Sequence, residues 1–468
     1  MEWAGLAMLA VVALGMVGTG LPAFIVLIAT SLGFGAWGVW AGAIPAGLLT
    51  AMPYRLVGLL ESDLLQALPL YVLMGVLLNR LPLADRLFLA ARALFGNRAA
   101  GPGLAGLVLG ALLGPMNGSV GASVATLMRS VFPRLRAADA SEAEALALVT
   151  TASTIGVIVP PSLVLILFGD AMMRAHTEAL NTTRRMARII NTQDVFHGAL
   201  VPAGLFLLGC AAVVWWRGRG VAVAARPGTL DWAMGGLTFV FVGGLLAAVA
   251  GGWLYAVEAA ACGAFCLFAF GAASGALRGG VLDDLLRETM VVTGALFALF
   301  VGATTFSLVF RGFGSDRLLA EAIAGMPGGV AGAVAAVLLV LALAALVLDA
   351  FEIILVIVPV IMPPLLMRAP DAVWVSVVAL LALQASFLVP PVGYAIMMAR
   401  TQAAGLVPLR ALVPALAPFL AVQTLVLGLV LAFPGLVHVV ADIPILPPQR
   451  PASEAAGMLN TMIPAPEE

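Results

Sequence analysis

The sequence predicts an all-α polytopic membrane protein made of two inverted repeats, each with a re-entrant helical hairpin and a helix broken by a proline pair. Three observations carry this expectation. Of 468 residues, 62% are hydrophobic and only 10% charged, with a mean hydropathy of +1.11, whereas a soluble globular chain is about 25% charged. Between Asn117 and Ser162, polar and helix-breaking residues twice interrupt membrane-apolar sequence, at NGSVGASVAT and at STIGVIVPPS. The same pattern then recurs at an offset of 231 residues: Asp85-Arg86-Leu87 as Asp316-Arg317-Leu318, Pro133 as Pro364, Pro160 as Pro391, and the break at Gly118 as Asp349. Matches in register at a fixed period indicate an internal duplication, the sequence sign of a repeat-built transporter.

Taken in order, residues 1–58 hold two apolar runs, Leu6 to Ser31 and Phe34 to Thr50, broken at Gly20-Leu21-Pro22 and at Pro45; they read as scaffold helices. Residues 59–216 form the first repeat. Its leading helix is Leu64 to Leu78, and Leu81 to Arg98 then sets Leu, Phe and Ala against Asp85, Arg86, Arg92 and Arg98 at helical spacing. That stretch is either a helix lying in the membrane interface or a solvated connector; Ser315 to Met326 repeats its character. Gly101 to Leu113 and Ser119 to Phe132 are each short for a crossing of about 20 residues, so a re-entrant hairpin with its tip near 117–123 is expected. The broken helix lies within the run Ala145 to Gly169, with its break near 153–162, and Val195 to Trp216 closes the repeat. Residues 217–290 are linker and scaffold helices, with runs at Met234 to Gly252 and Ala256 to Ala273.

The second repeat, 291–433, runs from Val291 to Val309 through a hairpin of Val330 to Leu348 and Ile353 to Pro364, with its tip near 349–352. A broken helix near 384–393 follows within Val373 to Met398, and Leu412 to Phe433 ends it. Together these runs amount to roughly ten crossings besides the hairpins. An odd number of crossings separates the two leading helices, so the repeats are inverted, an arrangement that puts a substrate site near the midplane. Arg174 to Asp194 reads as a long polar loop, Arg217 to Arg226 as a basic loop on the cytoplasmic side, and the Pro-rich tail 434–468 as extended or disordered.

Composition also excludes. A net charge of -1, with every basic residue an arginine scattered between apolar runs, provides no face for nucleic acid. Cys210, Cys262 and Cys266 lack the spacing of a metal or disulfide framework, and His176, His197 and His438 are equally dispersed. The N-terminus has no basic n-region or cleavage site, so its first run reads as a retained span.

At the first tip and break, Ser119, Ser123, Ser153 and Thr154 offer hydroxyls beside Gly118, Gly121 and Gly156, whose missing side chains open the backbone carbonyls. Uncharged oxygens suit a hard monovalent cation, so a sodium site is expected from Gly118, Ser119, Ser123, Thr154, Gly156 and Val159. The plainer alternative is close helix packing through small residues. Asp349 and Glu352 stand three apart between long apolar runs. An ionised carboxylate at the bilayer centre costs at least about 2.5 kcal/mol, so the pair requires a cation, a proton, a water-filled cavity or an arginine partner. A second sodium site is expected from Asp349, Glu352, Ser386, Val389 and Gly393, and substrate contacts from Asn117, Ser119, Thr154, Gln384 and Ser386. An intramembrane aspartyl protease would need a second facing Asp, and Asp63 and Asp170 lie near segment ends.

At these residues the chain resembles the large membrane subunit of the tripartite ATP-independent periplasmic transporters, the DctM family, from about Leu6 to Phe433. NGSVGASVAT is similar to that family's first hairpin tip, STIGVIVPPS to its GTLGxxIPPS, LDAFEIILVIVP to its second tip and QASFLVPPVG to its TPPxG segment. FSLVFRGFGSD and the Asp-Phe-Glu type of tip resemble most the branch for 2-oxo acids, lactate and related carboxylates. The resemblance implies an elevator-type fold like that of the ion-transporter superfamily and a sodium-coupled secondary importer in a bacterial inner membrane. It implies a C4-dicarboxylate or a 2-oxo or 2-hydroxy acid, delivered by a periplasmic binding protein that carries the carboxylate-selecting arginine. A small four-helix membrane subunit is implied as partner, Na+ as the coupling ion, and no organic cofactor. The departures are Ser153 for the family's Gly, Val389 for the Thr before its second Pro pair, which leaves only a backbone carbonyl to serve there, and Ala345 for a Gly before the second tip. A stand-alone sodium-coupled anion symporter of related fold is the neighbouring alternative.

Overall fold

The computed structural model describes residues 1–61, 63–96, 98–218, 228–403 and 407–440, and these are helical with no strand among them. In chain order the helices are α1 (Trp3–Thr19), α2 (Ala23–Trp40), α3 (Ala46–Thr50), α4 (Met52–Leu60), α5 (Asp63–Arg80), α6 (Leu83–Leu94), α7 (Gly101–Leu113), α8 (Val120–Ser130), α9 (Phe132–Ala137), α10 (Glu142–Thr154) and α11 (Leu163–Thr183). They continue as α12 (Thr192–Arg217), α13 (Thr229–Ala250), α14 (Ala256–Ala273), α15 (Val281–Gly312), α16 (Ser315–Ala324), α17 (Gly329–Ala344), α18 (Ala350–Glu352), α19 (Val358–Leu366), α20 (Ala372–Phe387), α21 (Tyr394–Gln402) and α22 (Leu409–Ala432). A π-helical turn, Ile353–Ile357, joins α18 to α19.

Six helices among the described residues, α2, α12, α13, α14, α15 and α22, have the length and apolar composition to cross a bilayer. The pair α5 and α6 is bent by 68° and is a seventh candidate if counted as one span. The protein is therefore a multi-pass membrane protein. The helices of the expected first hairpin are shorter: at 1.5 Å per residue the 13 residues of α7 and the 11 of α8 reach about 20 and 17 Å, well short of a hydrocarbon core of about 30 Å.

Burial sorts the bundle. In α10 and α20 almost every residue is buried, the mark of helices enclosed on all sides. By contrast α1, α13 and α14 expose Leu14, Leu237, Val240 and Phe265 and lie on the outside of the bundle.

Helix ends follow local chemistry. Gly20, at φ 65, closes α1 and Pro22 opens α2, which makes Gly20-Leu21-Pro22 a true boundary. α6 buries Leu83, Ala84, Leu87, Phe88 and Ala91 on one face, so it is a packed helix rather than a solvated connector. Its polar face pairs Asp85 with Arg134 of α9 at 2.7 Å and Arg86 with Asp231 of α13. α16 is tied at its start, where the Ser315 hydroxyl accepts from the Gly5 amide at 3.1 Å and donates to the Glu2 carbonyl.

Two arginines compensate prolines in neighbouring helices. Pro418 has no N–H for the carbonyl of Pro414, and Arg217 donates to that oxygen at 3.0 Å and to Ala415 O at 2.9 Å. Pro363 likewise frees the carbonyl of Pro359, and Arg311 lies 3.5 Å from it.

Two expectations change. The polar stretch 174–194 is not one loop: α11 continues to Thr183, because Ala175, Ala179 and Leu180 give it a buried stripe and Asp170 pairs with Arg174 one turn on at 2.8 Å. α12 then starts at a capping box between Asn191 and Asp194, with Arg188 on the Asp194 carboxylate at 2.8 Å. The tail does not leave the bundle at Pro434. Pro434–Val437 form a 3-10 turn with Val437 buried, and His438 Nε2 meets Asp371 Oδ2 at 2.7 Å. The rest of the expected tail, 441–468, and most of the basic loop, 219–227, lie outside the described residues.

Helix caps refine the register between the halves. Ser119 caps α8 and Asp349 caps α18; Ser141 caps α10 and Asp371 caps α20. Each pair is one residue short of the 231-residue offset, as are the cis bonds Pro160-Pro161 and Pro390-Pro391. Asp349 thus answers to Ser119 by its cap, not to Gly118.

Candidate functional site

The first tip is built by a glycine and a cap. Gly118 turns the chain at φ 76, a conformation costly for any residue with a Cβ. Ser119 then caps α8, its hydroxyl accepting from Ala122 N at 3.1 Å. The Ser123 hydroxyl points back into the turn, donating to Ser119 O at 3.0 Å, with Gly114 O and Asn117 Nδ2 each at 3.4 Å. Asn117 is buried and its Oδ1 has no partner. α5 presses on this turn so closely that a Cβ on Gly75 would stand 2.9 Å from Met116 O.

The first break meets the tip backbone to backbone. A Cβ on Gly156 would lie 2.4 Å from the Gly114 carbonyl carbon, and one on Gly110 would lie 2.5 Å from Ala152 O. Beside this contact is a cavity of about 10 Å³ lined by Gly114, Gly118, Ser119, Ser123, Ser153, Gly156 and Ser162. That volume is about one water or one bare cation. The Ser162 hydroxyl caps α11, accepting from Leu165 N at 3.1 Å, and Ser153 donates to Thr150 O at 2.7 Å.

Of the six residues expected at a first sodium site, Gly118, Ser119, Ser123 and Gly156 line this cavity, while Thr154 and Val159 do not. Thr154 is buried and donates to Thr151 O at 2.9 Å. Ser162 was missed as a candidate oxygen. Its position straight after a proline pair and before an apolar helix was the available signal, since a hydroxyl there is a helix N-cap.

The second tip explains its own spacing. Asp349 Oδ1 accepts from Glu352 N at 2.9 Å and Glu352 Oε2 accepts from Asp349 N at 3.0 Å, a reciprocal capping box. Neither carboxylate pairs with an arginine among the described residues of this chain. The hydroxyl end of Tyr394 lies close to Gly121 of α8, where a Cβ would stand 3.2 Å from it, and its ring is 5.9 Å from that of Phe387. Tyr394, which the sequence did not single out, thus packs against the helix that follows the first tip.

Around the second break, Ser386 donates to Ala382 O at 2.8 Å and the Val389 carbonyl accepts from Gly393 N at 2.9 Å. Gly393 is needed there, since a Cβ would stand 2.5 Å from Phe387 O. Gln384 has no exposed surface and neither its nitrogen nor its oxygen has a partner. A buried amide left so is costly unless a water, ion or ligand completes it.

A multi-pass helical bundle holding two broken, polar and nearly arginine-free centres at its core has the build of a membrane transport protein. Residues 8–436 match the family described as tripartite ATP-independent periplasmic transporter, DctM component, and the chain belongs to that family as a large permease subunit. It is 22% identical to the ectoine TRAP transporter large permease protein TeaC of Halomonas elongata over 392 residues, covering 81% of this chain and 86% of that protein. Identity is 23% to the sialic acid TRAP transporter large permease protein SiaM of Vibrio cholerae, with the same coverage. It rises to 27% against the C4-dicarboxylate TRAP transporter large permease protein DctM of Rhodobacter capsulatus, over 36% of this chain and 39% of that one. Among solved structures, the Alcanivorax borkumensis YdaH transporter is similar in fold, with a TM-score of 0.57, 17% identity and coverage of 83% and 88%. These relatives are transport proteins, and the protease reading of Asp349 falls.

Proposed function

We propose that the protein is the membrane-embedded core of a sodium-coupled importer of small organic-acid anions in a bacterial inner membrane. A periplasmic binding protein delivers a C4-dicarboxylate or a 2-oxo or 2-hydroxy acid, and a small four-helix membrane subunit completes the complex. The carrying observation is the cavity of about 10 Å³ where the first tip meets the first break, walled by serine hydroxyls and glycine backbone and by no charge. Neutral oxygens at one-ion scale favour sodium over a divalent cation, whose charge calls for carboxylates. The second centre takes another sodium at the Asp349–Glu352 box with carbonyls of the second break, and the anion binds near Gln384, whose buried amide nitrogen has no partner.

In this reading α7–α8 and α17–α19 are re-entrant hairpins of inverted repeats. With their broken helices they move as an elevator against α1, α2 and the outer helices. The test is uptake by reconstituted vesicles containing the complete complex, with the loaded binding protein outside. Uptake is expected to require an inward sodium gradient; full uptake driven by a proton gradient without sodium overturns the assignment.

A further inference from the structure

We propose that a second anion-binding place exists away from the tips: a vestibule between α11 and α15 where the organic acid pauses before reaching the centre. The proposal rests on the reading of the chain as an organic-anion importer.

Two helix faces oppose each other across a cavity of about 350 Å³, which is within the range of small-ligand sites. α15 contributes Thr304, Ser307 and Arg311, spaced to fall on one face; α11 contributes Asp170, Arg174 and Glu178, spaced likewise. Polar stripes on two apolar helices are expensive unless water or a ligand lies between them.

Charge in the cavity favours an anion. Arg174 is held by Asp170 at 2.8 Å and Arg311 by Glu178 at 2.6 Å, while Arg55, also on the wall, makes no ion pair among the described residues. Three arginines against two carboxylates leave one positive charge, and Arg174 keeps more than half of its side chain exposed.

The hydroxyls add a second, independent observation. On the same helix Thr289 and Thr305 donate to carbonyls one turn back, at 2.8 and 2.7 Å. Thr304 and Ser307 make no hydrogen bond within the described protein, although both border the cavity. A carboxylate lying there would take their two O–H groups and an arginine together.

Position links the vestibule to the centre. Its inner wall includes Leu167, one turn beyond Leu163 and Val164 at the first cavity, and Ile354 and Leu355, just past Glu352 of the second tip. The cavity therefore lies within about one helical turn of residues at both tips.

The test needs neither sodium nor transport. In the complete complex, with Cys210, Cys262 and Cys266 replaced by Ala, Ser307→Cys is treated with an anionic sulfonate or a cationic trimethylammonium thiol reagent of equal size. The anionic reagent should react about fivefold faster or more, and the preference should collapse in high salt and with Arg55→Gln plus Arg174→Gln. At least one of acetate, lactate, pyruvate and succinate should slow it at millimolar concentration. Equal rates, a cationic preference, protection by none of the four acids, or no reaction at Ser307→Cys and Thr304→Cys alike would overturn the proposal. Should uptake prove independent of sodium while these rates behave as expected, the coupling-ion reading fails and the vestibule stands.

Discussion

Replacing Gly156 by Ala adds one methyl group at the contact between the first tip and the first break. The added carbon would stand 2.4 Å from the Gly114 carbonyl carbon, 2.6 Å from its oxygen and 2.9 Å from Pro115 N. All three are backbone atoms that no rotamer change can move. Ordinary contact needs about 3.5 Å or more, so tip and break must separate by about 1 Å. Overpacking of this kind costs about 1–3 kcal/mol. Charged to the ion site, at 1.4 kcal/mol per tenfold, that raises half-saturating sodium for uptake by roughly 5- to 140-fold. The assay is the sodium activation curve of uptake in vesicles, beside the thermal midpoint of the purified complex. Gly204→Ala, with nothing within 4 Å of the new carbon, is the control and should behave as wild type. A folded Gly156→Ala whose curve stays within twofold of wild type would refute the placing of the ion between these two backbones. Gly118→Ala is the independent check, since its space is open, with Leu163 at 3.7 Å, and only its φ of 76 resists; it should weaken sodium by the cost of backbone strain alone, about 1 kcal/mol or somewhat more.

At the second tip, Asp349→Asn should keep the helix cap and the fold yet weaken sodium activation. Asp349→Ala should in addition lose about 0.5–2 kcal/mol of stability, read as a lower melting point; equal sodium curves for Asn and wild type would remove the carboxylate from the ion site. Two sodium ions with a monoanion carry one net positive charge, worth about 2.3 kcal/mol per 100 mV, so uptake of lactate-like acids should follow a potential clamped with potassium and valinomycin while uptake of dicarboxylates should not. Potential-independent monoanion uptake counts against two ions. Arg217→Ala leaves the Pro414 and Ala415 carbonyls without their donor and should cost about 1–3 kcal/mol; an unchanged melting point would show that water replaces the guanidinium fully.

What the sequence determined by itself is local and compositional. Membrane class follows from hydropathy, and the breaks follow from residues that cannot continue a helix: Gly118 and the pairs Pro160-Pro161 and Pro390-Pro391. Spacing marked the acidic tip, although Asp349 and Glu352 three apart could equally have meant an arginine pair, a cation or a cap. Tertiary structure made the carboxylates a capping box, because only folded coordinates show which amides they accept from. Likewise Ser119, Ser123, Ser153 and Ser162 lie up to 43 positions apart and become one cavity only when Gly156 and Gly114 bring their backbones together. Nor could periodicity foresee that Arg217 and Arg311 would supply donors to carbonyls freed by Pro418 and Pro363, or that polar faces of α11 and α15 would enclose a shared space. Helix breaks, caps and spans depend on a few neighbouring residues; cavities and borrowed hydrogen bonds depend on which helices pack, and the similar apolar surfaces of these helices leave that choice to the fold as a whole.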